Sequence, residues 1–225
     1  MLKKSMLGAL VAFGFALSGL SQAAVITVED FESGSYNAAW STPTSGGVVS
    51  ASHAHDGVYG SGDVEWTFRT DVQLQLGDSL QMWARPDGGN GRFYLGFGAD
   101  AGGASSFVLA PNTGDIRFQN NDSFGFQELN ISGQSFLSQW YLAEIVFALN
   151  GDIIGNLYGS DGTTLLNSLT AQGVTNTLGG VALRAFGDWS IDSLQQTTSV
   201  PEPASLALLG IGLAGLAAMR RKQRT

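Results

Sequence analysis

Between Val25 and Ser199 the apolar residues recur at every second position, and no helical pattern of useful length appears. Side chains alternate across a strand with period two, so this stretch folds as half-buried strands rather than amphipathic helices. Val64, Trp66 and Phe68 alternate with Asp63, Glu65, Thr67 and Arg69, and Val72, Leu74 and Leu76 alternate with Gln73 and Gln75. Leu80, Met82 and Ala84 alternate with Ser79, Gln81, Trp83 and Arg85; Phe93, Leu95 and Phe97 alternate with Arg92, Tyr94 and Gly96. Ile116 and Phe118 flank Arg117, and Val181, Leu183 and Ala185 oppose Arg184 and Phe186. Ile145, Phe147 and Leu149 read as one face of the longest strand, starting near Trp140.

Turn signals punctuate these runs: Gly77-Asp78, the stretch from Pro86 to Gly91, Pro111 to Gly114, and Gly179-Gly180. Asn150-Gly151 and Asp161-Gly162 sit between apolar runs and supply the positive φ angles that tight hairpins need. Many short strands joined by regular turns predict an all-β, antiparallel two-sheet sandwich.

The two ends are built differently. Lys3 and Lys4 precede an apolar run from Met6 to Leu20, then the small-residue site Ser21-Gln22-Ala23. This is the pattern of a signal peptide over residues 1–23, read by signal peptidase, with cleavage between Ala23 and Ala24. At the other end, Val200-Pro201-Glu202-Pro203 is followed by an apolar run over residues 204–219 and a basic end over 220–225 containing Arg220, Arg221, Lys222 and Arg224. Positive flanks stay on the cytoplasmic side, so both basic ends lie inside and the body between them is exported. The apolar run is short for a spanning helix, and snorkelling arginines extend its reach.

Val200 to Thr225 resembles the PEP-CTERM sorting signal of exported proteins in Gram-negative bacteria that make extracellular polysaccharide. The resemblance implies processing near Pro201-Glu202-Pro203 by an exosortase-type membrane protease, after transient anchoring in the inner membrane. It implies a final place at the cell surface or in the extracellular matrix.

Composition bounds the body, residues 24–199. All three lysines lie in the end segments, and the body's five arginines face 18 acids, a formal charge of −13. Such a surface repels nucleic acid. The chain has no cysteine, which removes disulfides and cysteine-bearing zinc and redox motifs.

Trp140 to Ile145, Asn150 to Ile153, Asp161-Gly162, Gly179 to Arg184 and Trp189 to Leu194 occur in the order seen in the second half of concanavalin A-like, laminin-G-like jelly rolls. The opening, Glu29-Asp30-Phe31-Glu32 with Trp40 and His55-Asp56-Gly57, resembles the start of many carbohydrate-binding jelly rolls. These resemblances imply a jelly-roll fold with first and last strands paired. They also imply a structural calcium shared by Glu32 and Asp192, with Asp30 and Asp56 as further ligands.

The glucanases of this fold carry alternating acids on one strand, and no such string occurs, so the expectation is a non-enzymatic body. His53 and His55 with Asp56 make an incomplete zinc site. Trp83 and Tyr94, with Arg85 and Arg92 beside them, fall opposite the core positions and are the candidates for stacking on sugar rings. The reading is thus a surface protein with a polysaccharide-binding jelly roll. The alternatives are a glycan-cleaving hydrolase with an unfamiliar site and a purely structural matrix protein.

Overall fold

A computed structural model describes residues 23–43, 45–88, 90–121, 129–172 and 179–199. The signal peptide up to Gln22, the Val200–Pro203 motif, the apolar run over 204–219 and the basic residues Arg220, Arg221, Lys222 and Arg224 lie outside the described residues. Among the described residues no helix is long and apolar enough to cross a membrane.

Where the alternation is regular, it sets the strands directly. Leu80, Met82 and Ala84 are fully buried while Ser79, Gln81, Trp83 and Arg85 are half-buried. Phe93, Leu95 and Phe97, then Val181, Leu183 and Ala185, point inward in the same way. The strands are β1 (Ala24–Glu29), β2 (Val49–Ser50), β3 (Gly60–Ser61), β4 (Val64–Arg69), β5 (Ser79–Pro86), β6 (Arg92–Asp100) and β7 (Gly103–Ala110). They continue as β8 (Asp115–Asn121), β9 (Leu129–Ser132), β10 (Tyr141–Phe147), β11 (Ile153–Tyr158), β12 (Leu165–Ala171), β13 (Gly180–Phe186) and β14 (Trp189–Thr198). One 3₁₀ turn, Ala51–His53, follows β2.

Two antiparallel sheets result. One runs β12-β11-β10-β5-β14-β3-β2, with β1 also paired to β14; the other runs β4-β13-β6-β7-β8-β9. First and last strands are therefore neighbours, as the jelly-roll resemblance implies. The hairpins at Asn150-Gly151 and Asp161-Gly162 form as read, with Gly151 and Gly162 at positive φ.

The core lies between the sheets and is aromatic. Phe97 of β6 meets Phe147 of β10 edge-on at 5.5 Å, and Phe93 lies 5.8 Å from Trp189 of β14. A Cβ on Gly155 of β11 would come 2.6 Å from the Phe107 ring of β7, so the absent side chain sets the approach of the sheets there. Burying each such ring contributes about 1.5–3 kcal/mol. The described strands belong to one compact unit, Val25–Thr198.

Three sequence readings are corrected. In β4 the register jumps from Leu183↔Thr67 to Ala185↔Val64, so Glu65 and Trp66 oppose a single residue of β13. This bulge turns Val64 and Thr67 inward and puts Trp66 and Phe68 on the outer face, against Ala99, Ala104 and Ala182. Val72 and Leu74 are buried but Leu76 is exposed, and the segment is an irregular connection rather than a strand. The longest strand is β14, and Leu149 lies beyond the end of β10, 79% exposed.

Candidate functional site

The outer face of the first sheet, where β10, β5 and β14 lie side by side, carries the most organised polar and aromatic cluster. Trp83 of β5 sits between Leu142 of β10 and Asp192 of β14, and Arg85 pairs with Ser190. The chain leaving the 3₁₀ turn crosses this face and lays His55 on Trp83, ring centroids 3.9 Å apart and planes 14° from parallel. Trp140, just before β10, meets His55 edge-on at 5.0 Å, and the Arg85 guanidinium lies 4.9 Å over the Trp140 ring. Trp83 and Trp140 are both half-buried, and Gly162 of the β11–β12 turn comes close to the Trp83 ring, where a Cβ on it would lie 3.1 Å away.

Two carboxylates fix the crossing chain. Asp192 Oδ2 accepts the backbone N–H groups of His55 at 2.8 Å and Asp56 at 3.0 Å, and Oδ1 accepts that of Ser193. Burial pushes the Asp192 carboxyl above the ordinary carboxylate range, against the pull of these three donors. On the other side of the loop, Glu32 accepts the N–H groups of Val58 and Tyr59. Asp56 Oδ2 lies 2.9 Å from His55 Nδ1, an ion-pair distance not angled for a hydrogen bond.

Beside this face lies a buried hydroxyl with three partners. Ser190 Oγ is 2.6 Å from Asp87 Oδ2, 2.7 Å from His53 Nδ1 and 3.0 Å from Arg85 Nη2. A carboxylate only accepts and a guanidinium only donates, so the single hydroxyl proton goes to Asp87 and Ser190 accepts from Arg85. His53 must then carry its proton on Nδ1 and donate as well. A nucleophilic serine donates to its histidine. Here the direction is reversed, and the trio is a structural lock. Arg85 closes it through Asp87 Oδ1 at 2.6 Å. His53 and Asp87 also line an open cleft of about 450 Å³ with Gly46, Val48, Gly62, Asp63, Asp188 and Trp189. Asp63 is already saturated there by the N–H groups of Gly187, Asp188 and Trp189.

The sugar-stacking residues read from the sequence fall into two places. Trp83 and Arg85 stand together. Tyr94 and Arg92 lie on β6, in the other sheet, facing out from the opposite side of the sandwich. Tyr94 is only 3% exposed, with Phe186 and the Arg184 guanidinium packed against its ring, so it offers no face to a ligand. Arg92 donates to Asn112 across the β7–β8 turn. A strand pattern tells inside from outside but not which sheet a strand joins, and that is why the two pairs looked alike.

The calcium candidates Glu32, Asp192, Asp30 and Asp56 gather around the 55–59 loop. Glu32 and Asp192 are bridged by the 55–59 loop, but through backbone N–H groups. Asp30 Oδ1 accepts the N–H of Glu32, and Asp56 turns to His55. Calcium requires six to eight oxygens converging on one point. Among the described residues no three acidic or histidine side chains converge as a metal-ligand set, and backbone N–H groups engage Asp192 and Glu32. Sequence reasoning also missed His55 and Trp140 as partners of Trp83. His55 figures there in a zinc pair and in the jelly-roll opening but not as an aromatic partner, and nothing local signals a loop 28 residues earlier folding over a strand.

Two stacked antiparallel sheets with paired first and last strands define a jelly-roll sandwich. Its fold is similar to the carbohydrate binding module CBM66 from Bacillus subtilis, with a TM-score of 0.51 at 14% identity, covering 71% of this chain and 96% of that one. It is similar to the botulinum neurotoxin serotype C1 binding domain, with a TM-score of 0.54 at 13% identity, covering 84% of this chain and 52% of that one. Chicken galectin 2 is similar over 56% of this chain and 95% of its own, at 13% identity and a TM-score of 0.43. At such identities the likeness is one of fold. No curated protein sequence matches the chain. Residues 199–222 match the PEP-CTERM protein-sorting motif, so the chain carries that sorting motif after a jelly-roll body.

Proposed function

We propose that this protein is carried across the inner membrane by residues 1–23, cut between Ala23 and Ala24, and processed near Pro201-Glu202-Pro203 by an exosortase-type protease. Its body, residues 24–199, then acts at the cell surface or in the matrix as a non-catalytic binder of neutral polysaccharide. The matched sorting motif over 199–222 supports the first part. Ala24 is the first residue of β1, so the cut leaves the sheet whole.

The binding reading rests on one observation: Trp83 and Trp140 stand together on one outer face, half-buried, with His55 and Arg85 holding their orientation. Flat rings meet the CH faces of sugars, and polar groups at the rim meet hydroxyls. Asp56, Asp87 and Asp192 surround the face, and Arg85 is engaged by Asp87 and Ser190, so an acidic glycan is repelled and a neutral one is not.

Retention of the exported protein on the neutral polysaccharide fraction of its own culture tests this. Trp83→Ala and Trp140→Ala each weaken retention about tenfold or more, the scale of a lost aromatic anchor. Tyr94→Phe and Arg92→Ala leave it unchanged. Equal retention of all four variants overturns the assignment.

A further inference from the structure

We propose that the cleft beside the Ser190 lock is a second ligand site, shaped for the protonated amine and adjoining hydroxyl of an amino sugar. It goes beyond the binding reading above, which concerns the Trp83 face and neutral sugars.

Trp189 lines this cleft and is 1% exposed, and its Nε1 is buried without an acceptor in the protein. A buried donor left unpaired costs about 1–3 kcal/mol, which an entering hydroxyl oxygen removes. The other polar groups at the cleft accept. His53 gives its Nδ1 proton to Ser190, so the neutral imidazole carries its lone pair on Nε2. Asp188 is exposed, and among the described residues its carboxylate has neither a hydrogen bond nor an ion pair. Two glycines keep these acceptors bare. A Cβ on Gly62 would come 2.9 Å from His53 Nε2, and one on Gly88 would come 2.5 Å from Asp188 Oδ2. Neither glycine has a positive φ, so what they supply is space rather than a turn. The backbone of the site is fixed, because Asp63 accepts the N–H groups of Asp188 and Trp189, and the Asp188 carbonyl accepts those of Asp87 and Gly88.

Charge selects the occupant. Asp63, Asp87 and Asp188 line the cleft, and none of the lining residues is a lysine or arginine. Backbone N–H groups take up Asp63, and Arg85 with Ser190 takes up Asp87, which leaves Asp188 as the uncompensated charge. Acceptors around one buried donor call for a ligand that brings positive charge, several donors and one acceptor. An ammonium has three donors and no acceptor, so it serves Asp188 and His53 Nε2, and the neighbouring hydroxyl accepts from Trp189. The volume of about 450 Å³ lies toward the small end for ligand clefts and suits a single sugar ring.

Indole ¹⁵N–¹H spectra of the exported protein test this with glucosamine, glucose and N-acetylglucosamine as probes, at pH about 7, where an amine of the α-amino type is largely charged. Glucosamine shifts the Trp189 signal saturably and leaves those of Trp83 and Trp140 in place. Glucose and N-acetylglucosamine, which lack the charge, bind about tenfold more weakly or less. Asp188→Asn keeps a residue suited to the φ of +66° and removes only the charge, and it weakens glucosamine about tenfold. Gly62→Ala, which closes the space at His53 Nε2, abolishes the shift. A Trp189 response to glucose equal to that to glucosamine overturns the proposal. So does a glucosamine response unchanged in Asp188→Asn, or none in the wild type. Trp83 and Trp140 report separately in the same spectra, so failure of the Trp83-face reading is told apart from failure of this one.

Discussion

Gly57 lies so close to Glu32 that a Cβ on it would come 2.4 Å from the Glu32 carboxylate, and its φ of +67° is one that residues with side chains rarely adopt. The Glu32 carboxylate is held there by Val58 and Tyr59, so it cannot simply retreat. Gly57→Ala is expected to lower stability by about 1–3 kcal/mol through strain and displacement of that carboxylate. Denaturant midpoints of the two proteins check this, and His55 should lose its stacking on Trp83 along with the midpoint.

Backbone N–H groups already engage Glu32 and Asp192, and among the described residues no three acidic or histidine side chains gather as a ligand set. The thermal midpoint is expected to stay fixed on adding calcium or a chelator. An upward shift with calcium would mean that the 55–59 loop rearranges to present carbonyls.

Ser190→Ala removes the one group that satisfies Asp87, His53 and Arg85 together. Leaving these part-buried partners unmatched is expected to cost about 1–3 kcal/mol of stability, read from denaturant midpoints. Ser190→Cys should not restore it, because a thiol donates weakly. Polysaccharide hydrolysis is not expected from either protein.

Asp161 gives the acid response a definite sign. Its carboxylate accepts the N–H groups of Thr163 and Thr164 and the Thr164 hydroxyl, and these bonds hold its pKa far below the ordinary range. A depressed carboxyl contributes stability above its unfolded pKa of about 3.9 and loses it as pH falls through the folded value. Asp161→Asn is therefore expected to melt below the wild type at neutral pH and to converge with it in strong acid. Asp192 acts with the opposite sign: burial raises its pKa, so its contribution is complete below the unfolded value and falls as pH rises through the folded one.

The body's fold was legible because core-facing apolar residues recur at every second position in β5, β6, β10 and β13. It failed where one residue broke the count: the extra residue at Glu65 and Trp66 left Val64 inside but turned Trp66 and Phe68 to the outer face, and no local signal marks a bulge whose cause is pairing with β13. Half of the proposed binding face was legible, since Trp83 and Arg85 lie on one strand. The other half was not. His55 reaches Trp83 because Asp192 of β14 holds its loop, a contact 137 residues long in sequence, and Trp140 stands just before β10, the strand paired with β5.

The five tryptophans allow the central claim to be read one indole at a time. In an indole ¹⁵N–¹H spectrum of the exported protein, neutral oligosaccharides from its own polysaccharide should shift the signals of Trp83 and Trp140. Those of Trp40, Trp66 and Trp189 should stay in place. A shift centred on Trp66, on the outer face of the other sheet, or no shift at saturating sugar, would contradict the account.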